Sequence, residues 1–333
     1  MFSGIARLAR EGGRLEQKAR VEYLELPARR LLNRCAGEKM PFEWTINPYR
    51  GCEYGCKYCY ARYTHEFMEY RESLDFERKI FAKRFDGAAF AKELRAVKPG
   101  QWIAIGTATD PYQPAERRYG VTRGVLEVFR RRGGFRLAIT TKSDLIARDA
   151  ELLREVAAGN QVRVSVTVTT TDARLARLLE PLAPRPELRL GALRTLAEGG
   201  IETGVLMSPV MPGINDAPGQ LEGVAAAAAQ AGARHFGAQP VFLRECALAV
   251  FLPFLASEFS RLAESYRRQF RRGAYPRGEF EARLRRQVEE LKGRYGWGSG
   301  GDAAGPGWGQ LGLFDGGLER LGIGGPGRGR EDG

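Results

Sequence analysis

Residues 46–62, INPYRGCEYGCKYCYAR, hold three of the chain's five cysteines, Cys52, Cys56 and Cys59, in a C-x3-C-x2-C pattern. A disulfide among them would leave one thiol over, and the odd total argues against a disulfide framework. Structural zinc wants four closed ligands and usually a paired C-x2-C. His65, six residues past Cys59, is the candidate fourth ligand under that reading. Iron–sulfur clusters are normally held by four cysteines. A loop of this length can wrap three thiolates around one face of a cubane and leave one iron open. The stretch therefore poses a site with three thiol ligands and a vacant fourth position.

Outward from this loop, residues 42–243 alternate short apolar runs with amphipathic segments. The runs are KIFAKRF (79–85), WIAIGTATD (102–110), FRLAITTKSD (135–144), VRVSVTVTT (162–170), ETGVLMSPVMPG (202–213) and HFGAQPVFL (235–243). They are short and β-branched, as buried parallel strands are. Helical patterns lie between most of them, several ending in Gly. Repeated β-α units imply a parallel sheet with right-handed crossovers. The fold class is α/β, a partial (β/α)6-type TIM barrel, with a doubly wound open sheet as competitor. Polar residues gather at the strand ends: Thr107, Thr109 and Asp110, Lys142 and Ser143, Thr169 and Thr170, and Ser208. That is where βα loops build a barrel's site. The plainer reading is that Thr and Ser cap the following helices; capping would also explain Asp144 and Asp172 but explains Lys142 less well.

The chain has 333 residues, 43% of them apolar, enough for a sizeable core. No apolar run reaches the ~18–20 residues needed to cross a bilayer. The first residues lack a secretory signal pattern. A cytoplasmic protein with reduced thiols is expected. The net charge of +12 favours a polyanionic partner such as nucleic acid, against the alternative of a freely solvated arginine-rich surface. The expected organisation is an N-terminal extension (1–41), the barrel (42–259), a basic helical segment (260–296) and a disordered Gly-rich tail (297–333).

The pattern C-x3-C-x-aromatic-C in the first β-α loop of a barrel resembles the radical S-adenosylmethionine superfamily. The resemblance implies a [4Fe-4S] cluster on Cys52, Cys56 and Cys59, whose open iron chelates S-adenosyl-L-methionine. It implies reductive cleavage of that cofactor to a 5′-deoxyadenosyl radical, and an electron donor such as flavodoxin or ferredoxin. Tyr58 matches the aromatic near the adenine. NPYRGCEYGCKYCYAR, GTATDPYQPAE and TTKSDL together resemble the spore photoproduct lyase-like branch, over residues 42–243. On that likeness Thr109 and Asp110 face the cofactor's amino end, Lys142 its carboxylate, and Ser165 its ribose. The expected function is radical chemistry on damaged DNA. The alternatives are radical modification of RNA or protein, and a non-enzymatic clamp- or nucleic-acid-binding protein with a structural or redox cluster. In one respect this sequence departs from the branch. Thr107 stands where the lyases carry the cysteine that donates a hydrogen atom, and a threonine O–H bond is too strong for that role. Cys246 is a substitute candidate, with a buried structural cysteine as the plainer reading.

In the basic segment, Tyr266, Phe270, Tyr275, Phe280 and Tyr295 lie among many arginines. They either stack on unpaired bases or dock these helices onto the barrel. In the tail, Gln310, Leu311, Leu313 and Phe314 resemble the peptide by which bacterial repair and replication proteins dock on the sliding clamp.

Overall fold

The computed structural model describes residues 4–17, 21–35, 40–271, 273–276 and 278–298. Its strands are β1 (Arg14–Gln17), β2 (Glu22–Leu26), β3 (Leu32–Arg34), β4 (Trp44–Ile46), β5 (Tyr49–Arg50), β6 (Lys79–Lys83), β7 (Trp102–Ile105), β8 (Arg136–Thr141), β9 (Gln161–Thr167), β10 (Glu202–Val210) and β11 (His235–Pro240). They form a seven-stranded sheet in the order β11-β10-β9-β8-β7-β4-β3 and a four-stranded sheet in the order β1-β2-β6-β5. In the large sheet every pairing is parallel except β3 with β4. Six parallel strands joined largely through helices make the partial barrel.

The strand between the cysteine loop and the next helix is placed differently from the sequence reading. The run 79–85, expected as a barrel strand, forms β6 of the small sheet, parallel to β2 and antiparallel to β5. The barrel instead begins with β4, whose three residues are too few for periodicity to reveal. The segment read as an extension is stitched into both sheets through β1, β2 and β3. Tyr23 and Leu26 of β2 are fully buried.

The barrel strands are buried on both faces, which is why they read as continuous apolar runs. Ile103 and Ile105, Leu137 and Ile139, and Val162, Val164 and Val166 point outward into the main core under the helices. The inner face is plugged at the bottom by Phe42 and Trp102, with the Arg136 and Arg163 guanidinium carbons 4.5 and 4.9 Å from the Trp102 ring. Higher up it carries Ala104, Ala138, Thr140, Thr167 and Ser208, small residues that leave space.

Helix Phe280–Arg294 packs against β11 and covers that edge of the sheet. Trp297 follows it, stacks on Phe236 at 5.4 Å and donates its indole N–H to the Ala233 carbonyl at 2.8 Å. Tyr266, Phe270 and Phe280 are buried, and Tyr266 binds the Pro212 carbonyl at 2.9 Å. For these three aromatics docking prevails, while arginines such as Arg267 and Arg285 stay exposed. Among the described residues no helix is long and apolar enough to cross a membrane.

Candidate functional site

A cavity opens at the C-terminal ends of the barrel strands. Cys52, Cys56, Cys59 and Tyr60 line one wall. Gly106, Thr107, Thr109 and Asp110 after β7, Thr140, Thr141 and Lys142 at the end of β8, Thr167 of β9, and Leu206 and Ser208 of β10 line the rest. Gly106 has a φ of +91°, and a Cβ there would sit 2.6 Å from both the Thr140 carbonyl and Pro111. Only glycine lets the chain leave β7 this close to β8.

The cysteine loop is clamped from two sides. Gly51 turns the chain at φ +82°, where a Cβ would meet the Lys79 and Phe76 carbonyls at 2.8 Å. Thr109 donates its hydroxyl to the Gly51 carbonyl at 2.6 Å. The fully buried Gln113 donates to the same carbonyl at 2.9 Å and accepts the Glu53 amide at 3.1 Å. Arg62 donates to the Cys56 carbonyl at 3.0 Å and pairs with Glu77 at 3.0 Å. On the other side, the Lys57 amide donates to the Leu179 carbonyl at 2.9 Å and the Leu182 amide to the Tyr54 carbonyl at 3.2 Å. Tyr58 donates its hydroxyl to the Glu180 carboxylate. Glu180 also accepts Thr169 at 3.1 Å and pairs with Arg189 at 2.5 Å.

Burial pushes all three thiols above the ordinary range. Cys52 is raised further by Asp110, Cys56 and Cys59, while Lys142 partly offsets the rise at Cys56, which reaches about 12, and at Cys59. Three thiols crowded on one wall, whose protonated form burial favours, suit a cationic metal group that displaces their protons. Among the described residues no three His, Cys, Asp or Glu side chains converge on a single metal ion. His65 is no fourth ligand: its ring packs on Phe76 at 5.3 Å and Phe81 at 5.9 Å, and its Nε2 meets the Lys79 carbonyl at 3.0 Å. The donor set does not fit a closed zinc site. Three thiols on one wall without a fourth ligand from His65 would suit a cubane with one open iron.

The other residues singled out from sequence divide into two groups. Thr109, Asp110 and Lys142 line the cavity with the cysteines. Asp110 accepts the Tyr112 amide at 2.9 Å, the Thr141 hydroxyl at 2.7 Å and the Lys142 amide at 2.7 Å. Burial nevertheless holds its carboxyl above the usual range, because these donors only partly offset desolvation. The Lys142 ammonium lies 5.7 Å from the centre of the Tyr58 ring, and no described carboxylate pairs with it. Tyr58 is buried beneath the cavity rather than in its lining. Ser165 is buried on the inner face of β9, and Thr167, two residues on, lines the cavity in its place. Cys246 lies outside the lining, beside Glu66 and Arg244, with its thiol pushed up to about 12 first by burial and then by Glu66. Gln310, Leu311, Leu313 and Phe314 lie outside the described residues.

Sequence reasoning missed Asn47, Gln113, Glu180 and Arg189. Asn47 holds the 107–108 turn through Thr107 at 3.0 Å and the Ala108 amide at 2.8 Å. Gln113 carried a signal, a polar side chain two residues from Pro111 and next to Pro114 in the strand-end loop. Also unanticipated is an aromatic rim beside the cavity. Tyr60 stacks on Tyr63 at 6.5 Å and meets Phe242 edge-on at 6.1 Å. Phe242 lies 4.9 Å from Tyr275, and Arg244 lies 5.3 Å from the Tyr63 ring.

Comparison with known proteins agrees with this geometry. The sequence model of the radical SAM superfamily matches residues 46–221. A protein of Mycobacterium tuberculosis (strain ATCC 25618 / H37Rv) is 35% identical over 262 residues, covering 77% of this chain and 75% of that protein. One of Methanocaldococcus jannaschii is 29% identical over 199 residues, covering 60% and 71%. Spore photoproduct lyase complexed with dinucleoside spore photoproduct superposes with a TM-score of 0.60 at 16% identity, covering 86% of this chain and 81% of that one. A mutant of the same lyase gives 0.62 at 14% identity, with the same coverage. At such identity the likeness is one of fold.

Proposed function

Because the chain belongs to the radical SAM superfamily, we propose that it reductively cleaves S-adenosyl-L-methionine and acts on damaged DNA. Cys52, Cys56 and Cys59 would hold a [4Fe-4S] cluster. When bound, that cluster supplies one electron to S-adenosylmethionine and so generates a 5′-deoxyadenosyl radical.

The chain's own residues bind and orient. Asp110 offers a half-buried carboxylate to a cationic amino group, and Lys142 offers its ammonium to a carboxylate, from the neighbouring loops after β7 and β8. The Gln113 and Glu180 clamps fix the cysteine loop. The inner face below, closed by Phe42 and Trp102, excludes water from beneath.

The observation that carries the reading is three thiols, Asp110 and Lys142 around one cavity. The aromatic rim with Arg244 supports a nucleic-acid substrate, since rings stack on unpaired bases and arginine meets phosphate. A base inside a duplex would have to leave the stack to reach the cavity. Thr107 lines the cavity without a thiol, so the hydrogen donor differs from a cysteine at that position. Cys246 is a candidate only if the helix that carries it moves.

The test is anaerobic incubation with irradiated DNA or with RNA, following 5′-deoxyadenosine and the nucleosides by mass spectrometry. Turnover on irradiated DNA supports the reading. Turnover on RNA alone replaces it with RNA modification. Recruitment through Gln310, Leu311, Leu313 and Phe314 is tested by binding a peptide of residues 308–317 to a bacterial sliding clamp, with Leu313→Ala/Phe314→Ala as the control.

A further inference from the structure

The small sheet carries two cations that the site described above does not use. Alternate residues of β6 face opposite ways, Ile80 and Ala82 into one core and Phe81 into another. Lys83 shares the Phe81 face, where it is 4% exposed. Arg50 of β5 stands directly opposite Phe81 and is half-buried, so it is a diagonal neighbour of Lys83 on that face. The Arg50 Nε is buried without a hydrogen-bond partner. Among the described residues neither side chain forms an ion pair.

Their surroundings do not neutralise them. Burial and then the Arg50 charge push the Lys83 ammonium down to about 7, which Glu93 only partly offsets. The Glu93 carboxylate is already occupied by the Leu31 and Leu32 amides, at 3.0 and 2.9 Å. The pair belongs to the neighbourhood of the aromatic rim. Arg50 and Arg244 both act on the Tyr63 phenol, each drawing it down against burial, and Arg244 lies 5.3 Å from that ring. Tyr63 stacks at 6.5 Å on Tyr60, which lines the cavity. Glu66, on the same short helix as Tyr63, is exposed and bonds the Cys246 thiol. Two arginines at one tyrosine, without a paired carboxylate and with a buried lysine alongside, leave positive charge that an anion would satisfy.

We infer that Arg50 and Arg244, aided by the buried Lys83, hold a backbone phosphate of a nucleic-acid strand whose neighbouring base stacks on the Tyr60–Tyr63 rim. The inference rests on the nucleic-acid substrate proposed above and adds where the strand is gripped. Arginine meets a phosphate through paired N–H donors, and such rings stack on unpaired bases. Lys83 is a positioning residue, whose charge strengthens the local field without touching the strand. An acidic peptide is the rival occupant for the arginines, but it gives no reason for the stacked rings.

The experiment measures binding of a short single-stranded oligothymidylate to the full chain by fluorescence anisotropy, beside the same oligomer with uncharged methylphosphonate linkages. The proteins are the parent, Arg50→Gln, Arg244→Gln and Lys83→Met. Both glutamine variants are expected to bind the phosphodiester about tenfold or more weakly, the scale of a lost charge-assisted hydrogen bond, and to bind the methylphosphonate as the parent does. Lys83→Met should bind the phosphodiester more weakly yet resist urea better, because it removes a buried charge without a partner. Iron content and urea unfolding of the glutamine variants control for folding. Arg244 is remote in sequence from the cysteines, so its variant tests the site even if Arg50→Gln disturbs the cysteine loop. Phosphodiester binding equal to the parent's in both glutamine variants overturns the site. So does an equal loss with both oligomers, a Lys83→Met protein that loses stability and keeps affinity, or a polyglutamate peptide that displaces the oligomer at equal concentration. Turnover on RNA in place of irradiated DNA would instead overturn the lesion reading and leave the phosphate site standing, since both strands carry the same charged linkage.

Discussion

Glu180 and Arg189 pair at 2.5 Å with side chains no more than 1% exposed, and the same carboxylate receives Tyr58 from between Cys56 and Cys59. Burial opposes both charges, yet Arg189, Lys142 and Tyr58 hold Glu180 below the usual carboxylate range, and Glu180 raises Arg189. Removing one partner strands the other. Glu180→Ala should destabilise the fold by about 3–5 kcal/mol, the cost of breaking a buried pair. It should also loosen the cysteine loop. Urea unfolding and iron content check this; a loss under about 1 kcal/mol would show that Arg189 finds other partners.

Gln113 holds both ends of the turn into Cys52. Gln113→Leu keeps the bulk but leaves the Glu53 amide without its acceptor, costing about 1–3 kcal/mol. The expected sign is faster loss of cluster absorbance in the presence of a chelator. A loss rate equal to the parent's would mean that Thr109 alone secures Gly51.

Asp110→Ala should weaken S-adenosylmethionine binding by about 1.5–3 kcal/mol, the range for hydrogen bonds to charged groups. Titration calorimetry on the cluster-loaded protein measures it. Unchanged affinity with intact iron would place the amino group elsewhere.

His65 is held down to about 4 from its ordinary 6.5, first by burial. The unfolded chain therefore takes up a proton near pH 6.5 that the folded chain refuses until about pH 4. Stability present above that window is lost as pH falls through it. Relative to His65→Phe, the parent should lose up to about 3 kcal/mol across the window. Parallel denaturant curves at both pH values test the sign, and a constant difference would contradict it.

Much of the site was legible because its signals are local. Cys52, Cys56 and Cys59 lie within eight residues, and Thr109, Asp110 and Lys142 stand where apolar runs end. The apolar runs from residue 102 onward became β7 to β11. What escaped depends on partners far along the chain. Tyr58 and Glu180 are 122 residues apart, and no periodicity links them. β4 is three residues long and β6 reads like any buried strand, so pairing with β2 rather than local pattern decided its sheet. Trp297 sits among glycines, yet its indole finds Phe236 and the Ala233 carbonyl. Burial of one large ring outweighs a flexible neighbourhood.

The central claim is that Cys52, Cys56 and Cys59 hold a cluster that cleaves S-adenosylmethionine. The direct measurement is iron content and 5′-deoxyadenosine formation by anaerobically reconstituted protein, with and without Cys52→Ala/Cys56→Ala/Cys59→Ala. The parent should hold about four irons per chain, as a cubane requires, and form 5′-deoxyadenosine once reduced, while the variant does neither. A variant that still binds iron and cleaves the cofactor would contradict the account.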